Sequence, residues 1–525
     1  MTSHQARGRF AALREHAPIA VLVVLSFLVR APALLNAAAT NSDAAVVGLQ
    51  AMHLLRGEWD PFLWGSSYQT SADGAVAALV FAVVGPTPRA LMFSSLALHA
   101  LATVFAYLAL AHRVRSRWTA AVAAMSLVFT TACVHSYALY PPRELSLTLA
   151  MAAWYALSQH GTTWRRAVAG MIALLAVFAD PYVLLFLPAL LVAAVATTRG
   201  PSVRARARDM GVVLGGAAVG AIPFLLLGAS ARAKHGVETF RFDLLGHNFD
   251  LFSKDCLPWA IGTKIFRPVH MMDYAPLAVG GATHAAQLAG AFVLACLIGA
   301  SGLVVGRRPQ LFAPWLFGVT LFLTTLGAFQ VSPMVMDHFS MRYLAGMIFA
   351  LPALVAPSLD AIASRHGRWA AALAFAPYLA VAGAAGWVAH GPYVDGVMPI
   401  LSDAGRAEDE AQLFRELSSR GVTVAIADYW AAYRLTFLSR ESVVVVPLHA
   451  EQDRYAPYRS RLDRAETSAY VYDELRSFED RAATERELSA SWELNGESRR
   501  FGPFVVRLLA RRDVNAGRPP TAPGD

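Results

Sequence analysis

The sequence predicts an all-α, multi-pass membrane domain followed by a small α/β domain outside the membrane, on three observations. Of the 525 residues, 56% are hydrophobic and 16% are charged, whereas soluble globular chains carry about 25% charged residues. Eleven apolar runs reach or approach the roughly 20 residues that cross a bilayer. After residue 390 the charge rises, and short β-rich runs alternate with helical ones, a pattern typical of an α/β domain.

The apolar runs define the predicted membrane spans. They lie near residues 17–38, 88–111, 118–139, 144–159, 166–179, 181–198, 211–228, 281–305, 311–330, 343–360 and 369–389. Arginine clusters precede the first span and follow the second, fourth, sixth, eighth and tenth. Because cytoplasmic loops are enriched in Lys and Arg, we expect a cytoplasmic N-terminus and an uncleaved first span. The formal net charge of +8 is largely these arginines, so it indicates no nucleic-acid partner.

This orientation divides the chain into three predicted parts. Residues 1–390 form the transmembrane domain, residues 391–512 an extracytoplasmic α/β domain, and residues 513–525 a Pro- and Gly-rich disordered tail. Within the α/β domain, "RAEDEAQLFRELSSRG" (406–421) predicts an amphipathic helix that ends at Gly421. We also expect residues 40–87, here called the first outer loop, to face outward.

Polar residues gather in this first outer loop. Asn41 or Ser42 can cap a helix that has Asp43 in its first turn and ends at Gly57. A second helix over residues 72–85 is too short to span the bilayer. We therefore expect two interfacial helices here, an elaborate way to join two spans unless they serve a site.

These residues carry a resemblance to a known family. Arg30 and Pro32 late in the first span, "SDAAVVGLQAMHLLRGE", "PFLWGSSYQTSADGAVAALVFAVVGPTPRAL" and the outer loop "YPPRE" resemble the bacterial GT-C glycosyltransferases. That superfamily includes the protein O-mannosyltransferases and the lipid A aminoarabinose transferases. The resemblance implies a GT-C fold in the cytoplasmic (inner) membrane and a polyprenyl-phosphate sugar donor. It also implies sugar transfer to a glycan, lipid or protein acceptor on the outer face.

The family holds a catalytic acidic residue soon after the first span, and Asp43 is the residue that matches. Many relatives have an Asp-Glu pair there, whereas Ala44 follows Asp43 in this chain. Glu144 and Asp73 are the candidates for a second carboxylate. The alternative interpretation of Asp43 is a helix-start acid without a catalytic role.

Glycosyl transfer from a lipid phosphate needs a base for the acceptor hydroxyl and positive charge for the departing phosphate. Seven outward-side residues could bind that phosphate: Arg143, Lys254, Lys264, Arg267, Arg342, His247 and His338. Of these we favour Arg143 and Arg342, since Arg suits bidentate phosphate contacts. The outer loop 229–280 is a candidate lid over the donor.

Several alternatives remain open from the sequence. Trp64 and Tyr68 contact substrate or belong to the interfacial aromatic belt. Arg30 contacts substrate in a polar cavity or marks the outer boundary of the first span. No metal site is predicted, although a divalent cation is compatible with the chemistry. The alternative function is a non-catalytic multi-pass protein, either a lipid or sugar transporter or an envelope assembly protein.

Overall fold

The computed structural model describes residues 3–35, 40–66, 68–159, 163–198, 202–228, 240–270, 273–390, 406–474, 477 and 479–512. The membrane domain is mainly helical, and the described residues of each predicted span lie largely in helices. Its helices are α1 (Ser3–Leu35), α2 (Ser42–Leu55), α3 (Ala72–Val84), α4 (Pro88–Ala111), α5 (Arg117–Val128), α6 (Ala132–Leu139), α7 (Glu144–Ser158), α8 (Thr163–Ala179), α9 (Leu187–Ala196), α10 (Val203–Gly220), α11 (Ile222–Gly228), α12 (Leu245–Leu251), α13 (Leu257–Ile261), α14 (Gly281–Val305), α15 (Phe312–Val331), α16 (Ala345–His366) and α17 (Arg368–His390).

Six helical segments among the described residues are long and apolar enough to cross a membrane. They are Pro88–Ala111, Val203–Leu227, Gly281–Val305, Pro309–Val331, His338–His366 and Arg368–Trp387. Shorter apolar helices lie at His16–Ala31, Ala72–Val84, Arg117–Val128 and Pro181–Ala196. The chain is therefore a multi-pass membrane protein, and eleven crossings stays a prediction. The third predicted span is interrupted, because α5 and α6 are separate helices.

The first outer loop contains both predicted helices. The side chain of Asn41 accepts a hydrogen bond from the backbone N–H of Ala44 at 2.8 Å, which caps α2 as the sequence predicts. α2 is buried along most of its length, because α3 packs on it and the C-terminal domain covers it. Its apolar residues therefore contact protein on both sides.

The C-terminal domain is a five-stranded mixed sheet with helices on it. Its helices are α18 (Arg406–Ser419), α19 (Tyr429–Leu438), α20 (Ala456–Arg464) and α21 (Arg481–Leu488), and its strands are β3 (Val424–Ala427), β4 (Val444–Pro447), β5 (Thr467–Asp473), β6 (Trp492–Phe501) and β7 (Phe504–Arg511). The strand order is β4-β3-β5-β7-β6. β3 pairs in parallel with β4 and β5, and β7 pairs antiparallel with β5 and β6. A separate hairpin, β1 (Phe266–His270) and β2 (Asp273–Pro276), lies in the predicted lid loop.

The C-terminal domain docks on the first outer loop through a shared apolar core. Val47 of α2 and Phe81 of α3 belong to the same buried cluster as Ile426, Tyr433 and Phe437 of the C-terminal domain. Gly48 makes the approach possible, because a Cβ atom there would lie 2.7 Å from the Phe437 ring. This docking brings α19 against the N-terminal end of α2, where Asp43 lies.

Candidate active site

Asp43 lies at the start of α2, and its side chain is 46% exposed. The hydroxyl group of Tyr429 donates a hydrogen bond to Asp43 Oδ1 at 2.5 Å. A guanidinium nitrogen of Arg454 lies 3.6 Å from the same oxygen. Both partners come from the C-terminal domain, so the predicted base is at the docking interface.

Local contacts fix Tyr429 and Arg454 in place. Ser42 Oγ donates to the Tyr429 carbonyl at 2.6 Å, which ties the first turn of α19 to that of α2. Arg454 Nε donates to the Tyr429 hydroxyl at 3.1 Å, and its guanidinium lies over the Tyr429 ring. The backbone N–H of Arg454 donates to the Tyr433 hydroxyl. Burial, together with the negative charge of Asp43, raises the pKa of Tyr429 well above its usual value, so Tyr429 keeps its proton and acts as a donor.

Arg143 is held by Asp180, a residue that the sequence reasoning did not select. Arg143 Nε lies 2.8 Å from Asp180 Oδ2, and the Asp180 side chain is 3% exposed. Gln69 donates to the same oxygen at 2.8 Å, and the backbone N–H of Tyr182 donates to Oδ1 at 2.8 Å. Arg143 has φ 131°, a conformation that costs free energy in a non-glycine residue. These contacts hold it at the N-terminus of α7.

Arg342 joins the same region through two tyrosines. The Arg143 guanidinium lies 4.7 Å from the centre of the Tyr182 ring. The Tyr182 hydroxyl donates to the Tyr343 carbonyl at 3.0 Å, and Arg342 donates to the Tyr343 hydroxyl at 3.0 Å. The two favoured arginines therefore border one aromatic cluster, although 199 positions separate them in the sequence.

A short loop connects this cluster to Asp43. Arg454 donates to the Gly65 carbonyl at 3.4 Å, and Gln69 contacts Asp180 at the other end of the loop. Gly65 and Gln69 are four residues apart, and four residues span at most about 14 Å, so Arg454 beside Asp43 and the Arg143–Asp180 pair contact the two ends of one short segment. Tyr68 lies between them and is 53% exposed. Desolvation raises the pKa of Tyr68, and the charges of Arg143, Asp180 and Arg454 also act on its hydroxyl.

The two candidate second carboxylates are buried. Asp73 Oδ1 accepts a hydrogen bond from the backbone N–H of Leu145 at 3.2 Å, so it caps the N-terminus of α7, and burial raises its pKa to about 6. Glu144 is fully buried, and its carboxylate lies 2.8 Å from His99 Nδ1. Both residues support the loop that carries Arg143.

Arg30 is fully buried and fills the break between α5 and α6. Its guanidinium donates to the Leu127 carbonyl at 3.3 Å and to Thr130 Oγ1 at 3.1 Å, and it lies 3.3 Å from His99 Nε2. Carbonyl groups at a helix end need partners where water is excluded. Arg30 therefore lies in a buried polar environment inside the helix bundle, and contact with substrate stays a prediction.

The other predicted phosphate ligands form a second group in the lid loop. Lys264 and His338 both pair with Asp255, at 2.5 and 3.2 Å, and exposed Lys254 pairs with Asp250 at 2.6 Å. His247 is an exposed residue of α12. The side chain of Arg267 lies outside the described part of the structure. The turn His338–Leu344 contains both His338 of this group and Arg342.

Trp64 is 4% exposed and stacks on Tyr455 at a centroid distance of 4.0 Å. Its ring therefore packs at the docking interface. In the described ranges, no group of three or more His, Cys, Asp or Glu side chains could hold a metal ion.

The sequence reasoning missed Asp180, Tyr429 and Arg454. A signal for Asp180 was present, since it follows the fifth predicted span at an outward turn before Pro181. Tyr429 and Arg454 carry no local signal of this kind, because their relation to Asp43 arises from domain docking.

Comparisons with known proteins agree with this architecture. No family model and no curated protein sequence matches the chain. The crystal structure of ArnT from Cupriavidus metallidurans in the apo state matches with a TM-score of 0.57 and 12% identity, covering 95% of this chain and 98% of that one. The same ArnT bound to undecaprenyl phosphate matches with a TM-score of 0.55 and 13% identity, over 94% and 97% of the two chains. The archaeal oligosaccharyltransferase AglB from Archaeoglobus fulgidus, in complex with an inhibitory peptide and a dolichol-phosphate, matches with a TM-score of 0.46 and 12% identity, over 88% of this chain and 70% of that one.

The matches to ArnT extend over nearly the whole of both chains. The chain therefore has the GT-C fold that the sequence resemblance implies, including its C-terminal domain. Its relation to ArnT is one of fold, since the identity is 12–13%.

Proposed function

We propose that the protein is an integral-membrane glycosyltransferase that moves a sugar from a polyprenyl-phosphate donor to a cell-envelope acceptor. The reaction would take place on the outer face of the cytoplasmic (inner) membrane, with the C-terminal domain extracytoplasmic. The single observation that carries the proposal is the arrangement of two charged pairs, Asp43 with Arg454 and Asp180 with Arg143, at the two ends of the segment 65–69 that contains Tyr68. A carboxylate opposite arginines is the combination that this transfer needs.

In the proposed reaction, Asp43 takes the proton of the acceptor hydroxyl as its oxygen attacks the anomeric carbon. The bond between that carbon and the phosphate oxygen breaks, and polyprenyl phosphate leaves with the additional negative charge. Arg143 and Arg342 stabilise that charge, because a guanidinium group donates two parallel hydrogen bonds to phosphate. The fold of ArnT, which has been crystallised with undecaprenyl phosphate, supports a polyprenyl-phosphate donor.

The test is transfer of label from polyprenyl-phosphate sugars to an envelope extract by the purified protein in lipid nanodiscs. Asp43→Asn should lower transfer at least about 100-fold, since general-base catalysis contributes about 10²–10⁴-fold. Asp60→Asn, at an exposed carboxylate of the same loop, is the matched control and should keep wild-type activity. A transporter would leave the sugar donor covalently unchanged, so mass spectrometry of the product separates the two functions.

A further inference from the structure

We propose that the C-terminal domain completes the catalytic site, with Tyr429 and Arg454 acting as positioning residues for the carboxylate of Asp43. This inference rests on the proposed function and deepens it. It assigns a role in the transfer step to a domain that otherwise only covers the first outer loop.

Both positioning residues contact the same oxygen of the Asp43 carboxylate. Tyr429 and Arg454 both approach Oδ1 of Asp43, and no partner of Oδ2 is found among the described residues. Oδ1 is therefore the held oxygen, and Oδ2 is the oxygen that takes the acceptor proton. With Oδ1 fixed, rotation of the carboxylate away from the acceptor is restricted. Small misplacements of a reacting group can cost about 100-fold in rate.

Contacts with neighbouring groups hold the positioning residues in place. Arg454 has four described contacts besides Asp43: the Tyr429 hydroxyl and ring, the Gly65 carbonyl and the Tyr433 hydroxyl. Gly65 has φ 70°, and a Cβ atom there would collide with the Arg454 side chain. The backbone of the first outer loop thus leaves room for this side chain beside Asp43.

The C-terminal domain is also docked by contacts that do not involve Asp43. Apolar packing of Phe437 on Gly48 lies in the middle of α2. At the other end of α2, Glu441 contacts His53 at 2.8 Å and Arg56 at 2.6 Å, about 15 Å from Asp43 by helix rise. Asp43 and Arg454 are 46% and 32% exposed, and ion pairs of this kind contribute about 0–1 kcal/mol to stability. Their contact is better explained by positioning than by docking.

The test compares two Tyr→Phe substitutions in the full-length protein, using the label-transfer assay. Tyr429→Phe removes the hydroxyl bound to Asp43. Tyr458→Phe removes the hydroxyl that donates to Glu441 at 2.6 Å at the far end of the interface and is the matched control. We expect Tyr429→Phe to lower kcat about 10- to 100-fold, with KM for the donor unchanged within about twofold and the same thermal midpoint as Tyr458→Phe. Arg454→Gln should also lower kcat, and Arg454→Lys should restore part of it, because Lys keeps the charge without the planar fork.

Three results would overturn the inference. One is wild-type kcat in both Tyr429→Phe and Arg454→Gln. Another is an equal loss in Tyr458→Phe, which would show that docking alone matters. The third is a rise in kcat, which would mean that the contacts restrain Asp43 and inhibit transfer. A wild-type protein without any transfer refutes the proposed function itself, so the two failures are distinguishable.

Discussion

Arg143 Nε lies 2.8 Å from Asp180 Oδ2, and this contact joins the N-terminus of α7 to the C-terminal end of α8. The pair explains how Arg143 keeps its strained backbone at φ 131°. It also sets the orientation of a guanidinium group that we assign to the donor phosphate.

Asp180→Asn should therefore weaken use of the donor. The substitution keeps an acceptor oxygen for a backbone N–H but removes the charge opposite Arg143. Hydrogen bonds to charged groups contribute about 1.5–3 kcal/mol, so kcat/KM for the donor should fall at least about tenfold. Asp243→Asn, in the exposed Arg241–Asp243 pair, is the control and should leave kcat/KM unchanged. Equal values for Asp180→Asn and the wild type would contradict the role of this pair.

Gly48→Ala should destabilise docking of the C-terminal domain. The new Cβ atom would lie 2.7 Å from Phe437 Cε2, and Phe437 is buried, so the ring has little room to move. Overpacking of this kind costs about 1–3 kcal/mol. Thermal unfolding of the detergent-solubilised protein measures this loss of stability. Gly299→Ala, in α14 with nothing near the added atom, should not be destabilised, and Phe437→Leu should partly rescue Gly48→Ala.

Docking should also depend on pH through Glu441. Burial alone would raise the pKa of Glu441, but hydrogen bonds from His53, Arg56 and Tyr458 outweigh it and lower the pKa to about 2. A lowered carboxyl pKa stabilises the folded state above the unfolded pKa of about 4.3. This stabilisation is lost as pH falls from there towards 2. The difference in thermal midpoint between wild type and Glu441→Gln should be greatest near pH 7 and should shrink between pH 5 and 3. A difference that stays constant over this range would contradict a stabilising role for the ionised Glu441 carboxylate.

Arg30→Met should destabilise the membrane domain without a specific effect on substrate. It removes the hydrogen bond to Thr130 Oγ1 and one of two contacts of the Leu127 carbonyl, which His99 Nε2 also contacts at 2.8 Å. Leaving a buried polar group without its partner costs about 1–3 kcal/mol, so the thermal midpoint should fall. Arg165→Met, at an exposed arginine in the first turn of α8, should leave the thermal midpoint unchanged. A raised donor KM at an unchanged midpoint would instead indicate that Arg30 contacts substrate.

Much of the membrane domain was predictable, because hydropathy and helix capping are local properties. The described residues of the apolar runs are largely helical, and Asn41, one of the two caps that the sequence offers, caps α2. The break near Thr130 was not predictable from hydropathy, because an apolar run has the same hydropathy whether it forms one helix or two. The buried Arg30 of α1 and His99 of α4 both contact the Leu127 carbonyl there.

The sequence by itself determined a multi-pass helical protein with Asp43 at the start of the first outer helix, since those features depend on neighbouring residues. Only the tertiary structure decided what surrounds Asp43. Tyr429 lies 386 positions away in the chain, and Asp180 meets Arg143 only after α7 and α8 have packed. Contacts between distant segments depend on the complementary shapes of two buried surfaces, as where Phe437 packs on Gly48. The order of residue types along the chain does not determine those shapes by itself.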